Sequence, residues 1–265
     1  MAEATQRDVD HIVEMEGITK TFGEVVALED VTFRLRRNEI LALAGDNGAG
    51  KSTLIKCLAG ALQPDSGTIH VDGERVEIPN PRVAKDLGIE TTFQDLAVAG
   101  NLTVTQNIFL GRESVSGPDS LFGVLDKSAM RERAQELLDD LEIHVDVAEK
   151  VSNLSGGERQ LVSISRTLLS DPKIVIMDEP TSALSVEGAD RVLQLIDRMQ
   201  SQGISIVLIS HNLDYIRRAA DRVHVLHQGR SAGIIDADEF DQDEIVKRMV
   251  AGQPDAERGE QTADL

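Results

Sequence analysis

Apolar residues follow two rhythms along this chain, and the points where one gives way to the other divide it into elements. His11 to Met15 and Val25 to Leu35 alternate apolar and polar positions. That is the two-residue period of a half-buried strand, and the turn residues Thr21-Phe22-Gly23-Glu24 stand between the two runs. Ile40 to Ala44 is apolar throughout, which suits the centre of a sheet covered on both faces. Thr53 to Gly60 carries apolar residues at helical spacing, and Gln63-Pro64-Asp65-Ser66-Gly67 ends that helix with turn chemistry. Thr68 to Val76 reads as a hairpin around Asp72-Gly73. Pro81 to Leu87 reads as a short helix, and Ile89 to Phe93 as a strand ending at Gln94.

From about Asp95 to Leu169 the pattern turns mostly helical, with a loop expected at Ser114 to Ser120. Asp126 to Glu142 is an amphipathic helix with Asp126 as its N-cap, because Met130, Ala134, Leu137, Leu138 and Leu141 recur on one face. From Lys173 strands and helices alternate. Strands are expected at 173–177, 204–209, 222–227 and 231–235, with helices at 186–202 and 212–219 and a last short helix at 244–250. Such alternation predicts a parallel α/β sheet, into which 95–169 is inserted as a helical sub-domain. No internal repeat is present.

Composition narrows the class. The 265 residues, 41% hydrophobic and 28% charged, suffice for a sizeable core. No apolar run approaches the roughly 18–20 residues that span a bilayer. The first ten residues are polar and acidic and carry no signal-peptide pattern. A single cysteine, Cys57, excludes an internal disulfide and fits a reducing compartment. The net charge of −19 repels nucleic acid. Beyond Gly252 the residues are polar, and 253–265 is expected to be a disordered acidic tail.

Three stretches carry chemistry. Gly45-Asp46-Asn47-Gly48-Ala49-Gly50-Lys51-Ser52, followed by Thr53, lies between an apolar strand and a helix. Glycines let a backbone curl until its N–H groups point at phosphate oxygens, and the helix N-terminus adds unpaired donors. Lys51 is placed to reach the β- and γ-phosphates and Ser52 to ligate Mg²⁺, which predicts a nucleoside triphosphate site. Ile174 to Pro180 is a buried strand ending in two carboxylates, Asp178 and Glu179. Beside phosphates, the first suits the shell of a metal ion and the second an attacking water. Leu154-Ser155-Gly156-Gly157-Glu158-Arg159-Gln160 opens a helix. It reads both as a second anion cradle and as a capping box of Ser155 with Glu158. One nucleotide does not need two cradles from one chain.

With these motifs the sequence resembles the ATP-binding cassette (ABC) ATPases over about residues 11 to 250. Gly45 to Ser52 is similar to the family's Walker A, Ile174 to Glu179 to its Walker B, and Leu154 to Gln160 to its signature motif. Gln94 matches the Q-loop, His211 the switch histidine, and Phe22 the aromatic placed against adenine. The resemblance implies an α/β P-loop NTPase of ABC type. Its mixed sheet core, RecA-like, would carry an N-terminal antiparallel β subdomain and an inserted helical subdomain, as one cassette over residues 8–252. It implies a head-to-tail dimer in which ATP lies between Walker A of one copy and Ser155, Gly156 and Gly157 of the other. Glu179 would then be the general base, His211 the sensor of the γ-phosphate, and Gln94 the link from Mg²⁺ and water to the helical sub-domain. Metal contacts would come from Ser52, Gln94 and Asp178. One departure stands out: Ser182-Ala183-Leu184-Ser185 ends in serine where the family often has aspartate.

Several stretches are similar to the ATPases of simple-sugar importers, namely Ala44 to Thr53, Gln94 to Ala97 with the later Asn101-Leu102, Phe109-Leu110-Gly111-Arg112-Glu113, Ser210 to Leu213 and Ile245 to Val250. The resemblance implies a subunit at the cytoplasmic face of a prokaryotic membrane. Its partners would be a second copy, an integral-membrane permease and, indirectly, a solute-binding protein, with no nucleic acid. A coupling helix of the permease would meet Leu96, Val98, Leu102, Val104 and Phe109. Importers of nucleosides or amino acids have the same motifs. Soluble ABC proteins acting on DNA or ribosomes usually carry paired cassettes, coiled coils or basic patches, none of which this sequence has.

Overall fold

The computed structural model of the chain describes residues 11–92, 98–116 and 124–252. Strands β1 (His11–Phe22) and β2 (Val25–Arg36) form an antiparallel hairpin closed by two residues, Gly23 and Glu24. β1 is longer than its alternation suggests. Register shifts between Met15 and Ile18, with Gly17 at φ 63°, break the two-residue period and hide the second half of the strand. Thr21 and Phe22 therefore belong to the strand, not to the turn. β4 (Ser66–Val71) and β5 (Glu74–Val76) complete a four-stranded sheet in the order β2-β1-β4-β5.

The second sheet has six strands. β3 (Ile40–Ala44), β6 (Ile89–Thr92), β9 (Ile174–Asp178), β10 (Ser205–Ile209), β11 (Arg222–His227) and β12 (Arg230–Asp236) run in the order β12-β11-β3-β10-β9-β6. All neighbours are parallel except β11 and β12. The fold is thus α/β, a mixed sheet beside an antiparallel one. Its central strands β3, β9 and β10 are almost wholly apolar because both faces are covered; only Ser205 at the start of β10 and Asp178 at the end of β9 are polar. Ile40, Ala42, Val175, Met177, Ile206 and Leu208 pack into one core. Leu41, Leu43, Ile174, Ile176, Val207 and Ile209 pack into the other, with the antiparallel sheet. Each such aliphatic side chain taken fully out of water contributes roughly 1.5–3 kcal/mol.

Helix α1 (Lys51–Leu58) follows β3 and buries Leu54, Ile55, Cys57 and Leu58 in the second core. α2 (Pro81–Asp86) is capped by the Asn80 side chain. Between β6 and β9 lie α3 (Val104–Ile108), α4 (Lys127–Asp140) and α5 (Gly156–Leu168). The loop expected at 114–120 instead begins as a short ladder, β7 (Val115–Ser116) with β8 (Val124–Leu125). Two residues per strand are too few to show a period. A buried charge joins these helices to the sheet. Glu90 of β6 accepts from Arg112 Nη2 at 2.7 Å and from Ser170 Oγ at 2.8 Å, while Arg166 Nη2 of α5 returns to the Leu110 carbonyl at 3.0 Å. α6 (Val186–Ser201), α7 (Leu213–Ala219) and α8 (Gln242–Ala251) complete the chain, and α8 packs on β11.

Candidate nucleotide site

Three adjacent parallel strands, β3, β10 and β9, end on the same edge of the sheet, where ligands of open α/β sheets collect. The loop Gly45 to Gly50 leaves β3 there. Gly45 (φ 154°) leaves no room for a side chain, since a Cβ would stand 2.5 Å from the Leu226 carbonyl oxygen. Gly50, the left-handed cap before α1 (φ 101°), would place one 2.7 Å from the Ala27 carbonyl oxygen. The loop is also bonded to its surroundings. Gly229 N–H donates to Ala49 O at 3.0 Å, and Glu29 N–H donates to Gly229 O at 2.8 Å. Ala49 is buried, whereas Asp46, Asn47, Gly48 and Ser52 are exposed and Thr53 is half-buried. Lys51 folds back across its own loop, with Nζ 2.6 Å from Gly45 O and 3.0 Å from Asp46 O. Burial lowers the pKa of its ammonium, against the opposing pull of Glu179, Asp46 and Asp178.

The carboxylates come from the end of β9. Asp178 is its last residue, and burial, then the charge of Glu179, raises its pKa, with Lys51 opposing. A loop whose glycines exclude side chains, a lysine, an exposed serine hydroxyl and a carboxyl short of counter-charge form a donor set that fits a nucleotide phosphate with a hard cation. Glu179 takes a left-handed backbone conformation (φ 51°), and its N–H donates to the Ile209 carbonyl at 3.0 Å. Strain of this kind in a non-glycine residue persists where the surroundings over-determine it. Its Oε1 lies 2.8 Å from His211 Nδ1. The glutamate side chain is 14% exposed and the imidazole 75%, so the pair is open on the histidine side. His211 follows β10 at a bend made by its neighbours. Asn212 N–H bonds Ser210 Oγ at 3.1 Å, and Asn212 Oδ1 caps α7 through Asp214 N and Tyr215 N. The sequence shows Asn212 as the start of a helix; the bond from its N–H to Ser210 Oγ, which spans His211, appears only in the fold.

Two other sequence-predicted groups belong to other elements, the β1–β2 hairpin and the start of α5. Phe22 is exposed at the tip of the β1–β2 hairpin, with Val25 and Val26 also exposed beside it. Ser155 caps α5 in a full capping box. Its Oγ accepts from Glu158 N at 3.3 Å. The Ser155 backbone N–H donates to Glu158 Oε2 at 2.8 Å and its Oγ donates to the same oxygen at 2.7 Å, and these two bonds, the backbone one first, hold the Glu158 carboxyl below its usual pKa. Gly156 faces Leu184, just before α6, and Gly157 lies against α6, where a Cβ on Gly157 would stand 2.9 Å from Gly188 Cα. Ser185 caps α6, accepting from Gly188 N at 3.2 Å, a task the usual aspartate also performs. Gln94 and Leu96 lie outside the described residues.

The sequence pattern of the family described as ABC transporter matches residues 28–182, from within β2 to just beyond β9 and Glu179. The chain belongs to the ABC transporter family. The cassette is 44% identical over 239 residues to a ribose import ATP-binding protein of Rubrobacter xylanophilus, covering 90% of this chain and 47% of that protein. It therefore spans about half the length of that relative. It is 40% identical over 241 residues to a xylose/arabinose import ATP-binding protein of Sulfolobus acidocaldarius, covering 91% of this chain and 94% of that one. Among solved structures, the ADP conformation of the cassette MJ1267 superposes with a TM-score of 0.76 at 27% identity, over 96% of this chain and 99% of that one. A dimeric post-hydrolysis state of the cassette MJ0796 bound to ADP and Pi superposes with a TM-score of 0.70 at 25% identity, over 86% and 100%. Among the described residues of the cassette no helix is long and apolar enough to cross a membrane.

Proposed function

We propose that the cassette is the ATP-hydrolysing subunit of an importer for monosaccharides. The observation that supports this most is the meeting of Lys51, Asp178, Glu179 and His211 on one sheet edge, in a chain whose relatives are named for sugar import. The loop 45–53 binds the phosphates through its backbone N–H groups, and Lys51 exchanges the Gly45 and Asp46 carbonyls for phosphate oxygens. Phe22 stacks on the adenine ring. Ser52 and Asp178, with Gln94, would hold Mg²⁺, which when bound offsets the charge of the phosphates. Glu179 accepts the proton of a water that attacks the γ-phosphorus as the bond to ADP breaks, and His211 steadies its carboxylate through Nδ1.

Ser155, Gly156 and Gly157 close the nucleotide from a second copy, which explains why one chain carries two cradles. ATP thereby acts as the glue of a dimer whose closing drives separate permease subunits, with the cassette peripheral to the membrane. The test uses Glu179→Gln in the full chain. The purified variant is expected to bind MgATP as wild type does and to lose turnover at least about 100-fold. A cell carrying it as the sole copy should lose uptake of radiolabelled ribose, xylose or fructose. Normal turnover would remove Glu179 as the base. Unchanged uptake of every monosaccharide in a deletion strain would overturn the sugar reading.

A further inference from the structure

The ring of Phe22 is not held by the core. It is 48% exposed at the tip of a two-residue hairpin, and its neighbours Val25 and Val26 are 65% and 49% exposed. An aromatic ring that stacks on a base contributes only when it waits at the right distance from the phosphates. The residues that lead into the ring are bonded to one carboxylate in the turn after α1. Asp65 Oδ1 accepts from Lys20 Nζ at 2.7 Å, and Oδ2 accepts from both Thr21 N at 2.7 Å and Thr21 Oγ1 at 2.8 Å. The Asp65 N–H donates to the Thr19 carbonyl at 2.8 Å. Four bonds from one residue thus clamp the three residues that lead into Phe22.

The clamp has a second arm. Lys20 Nζ stands 5.7 Å from the centroid of the Phe22 ring, so the ammonium that Asp65 holds is itself a contact of the ring. Hydrogen bonds from Lys20 and Thr21 depress the Asp65 carboxyl to about 2, which keeps it charged at any working pH. At its other end Asp65 is joined through residues 59–64 to the helix that begins with Lys51 and Ser52.

We propose that Asp65 is a positioning residue for the nucleotide base: it sets the separation between the phosphate loop and the Phe22 ring by clamping Thr19, Lys20 and Thr21. The inference rests on the reading of Phe22 as the adenine contact. It extends that reading to a residue that touches neither base nor phosphate.

The experiment is a double-mutant cycle read by equilibrium titration with Mg²⁺ and the non-hydrolysable ATP analogue AMP-PNP. The proteins are the full-length wild type, Phe22→Ala, Asp65→Ala and the double variant. Asp65→Ala is expected to weaken binding about fivefold in the wild-type background and to have no further effect in the Phe22→Ala background. Asp65→Asn, which keeps one acceptor for Thr21, should fall between. Wild-type affinity in Asp65→Ala overturns the inference while leaving the Phe22 reading intact. So does an equal loss with and without the Phe22 ring, since Asp65 would then act on the fold or the phosphate loop. Wild-type affinity in Phe22→Ala overturns the adenine contact itself, and the inference with it.

Discussion

His224 shows how much one side chain can cost this fold. It sits on β11, fully buried, with its ring 5.5 Å from Phe33 of β2, and so joins the two sheets. Neither ring nitrogen has a hydrogen-bond partner among the described residues. Burial, reinforced by the charge of Arg222, lowers its pKa from 6.5 to about 4. The unfolded chain takes up this proton near pH 6.5 and the folded chain only near 4. Between those values the unfolded state binds more protons, so stability falls as pH falls. The loss from this group should reach about 3 kcal/mol below pH 4. Urea unfolding across pH 4 to 7 is the measurement, and His224→Leu should flatten the slope. Equal slopes in the two proteins would show that acid acts through other groups.

At the scale of elements, α5 and α6 meet through glycine. A Cβ on Gly157 would stand 2.9 Å from Gly188 Cα, a backbone atom that cannot rotate away. Gly157→Ala should therefore destabilise the fold by about 1–3 kcal/mol through the forced separation of the two helices. Alanine is the better helix former by about 1 kcal/mol, so a lower melting temperature in a thermal scan isolates the clash from propensity. An unchanged or higher melting temperature would mean that the helices part freely.

The elements also show what a sequence reveals and what it hides. β3, β9 and β10 were legible because burial on both faces makes them almost wholly apolar. β1 was legible only to Met15, where bulges break its alternation, and β7 and β8 are too short to have a period. The positions of the glycine loop, the acidic pair and the Ser155 cap were legible because each is a local run of fixed spacing. The partnerships of Asp65, Glu90 and Arg112 have no such local signal. Their partners lie 44 or 45 residues away for Asp65 and 22 for the Glu90–Arg112 pair. Only the folded chain brings them together.

For the whole molecule, the two cradles make a prediction that no single chain can meet. Lys51→Ala removes one half-site and Ser155→Arg blocks the other, so neither variant alone should form an ATP-bound dimer. Mixed one to one, they leave one composite site intact; about half of random pairings are of that mixed kind, and these are the ATP-bound dimers expected to assemble. Size-exclusion chromatography with MgATP, in the hydrolysis-deficient Glu179→Gln background, reads the outcome. Failure of the mixture where the Glu179→Gln parent dimerises would reject the shared site.

The bond from Gly229 to Ala49, continued by the bond from Glu29 to Gly229, makes the back of the phosphate loop part of a hydrogen-bonded seam through two hairpins. The seam gives the cassette a natural reporter. The amides of Gly229 and Glu29 exchange with solvent only when that seam opens, and neither lies in the cradle itself. Slowed deuterium uptake at these two positions would register a filled site from behind, without a label on the nucleotide or a change to any residue that touches it.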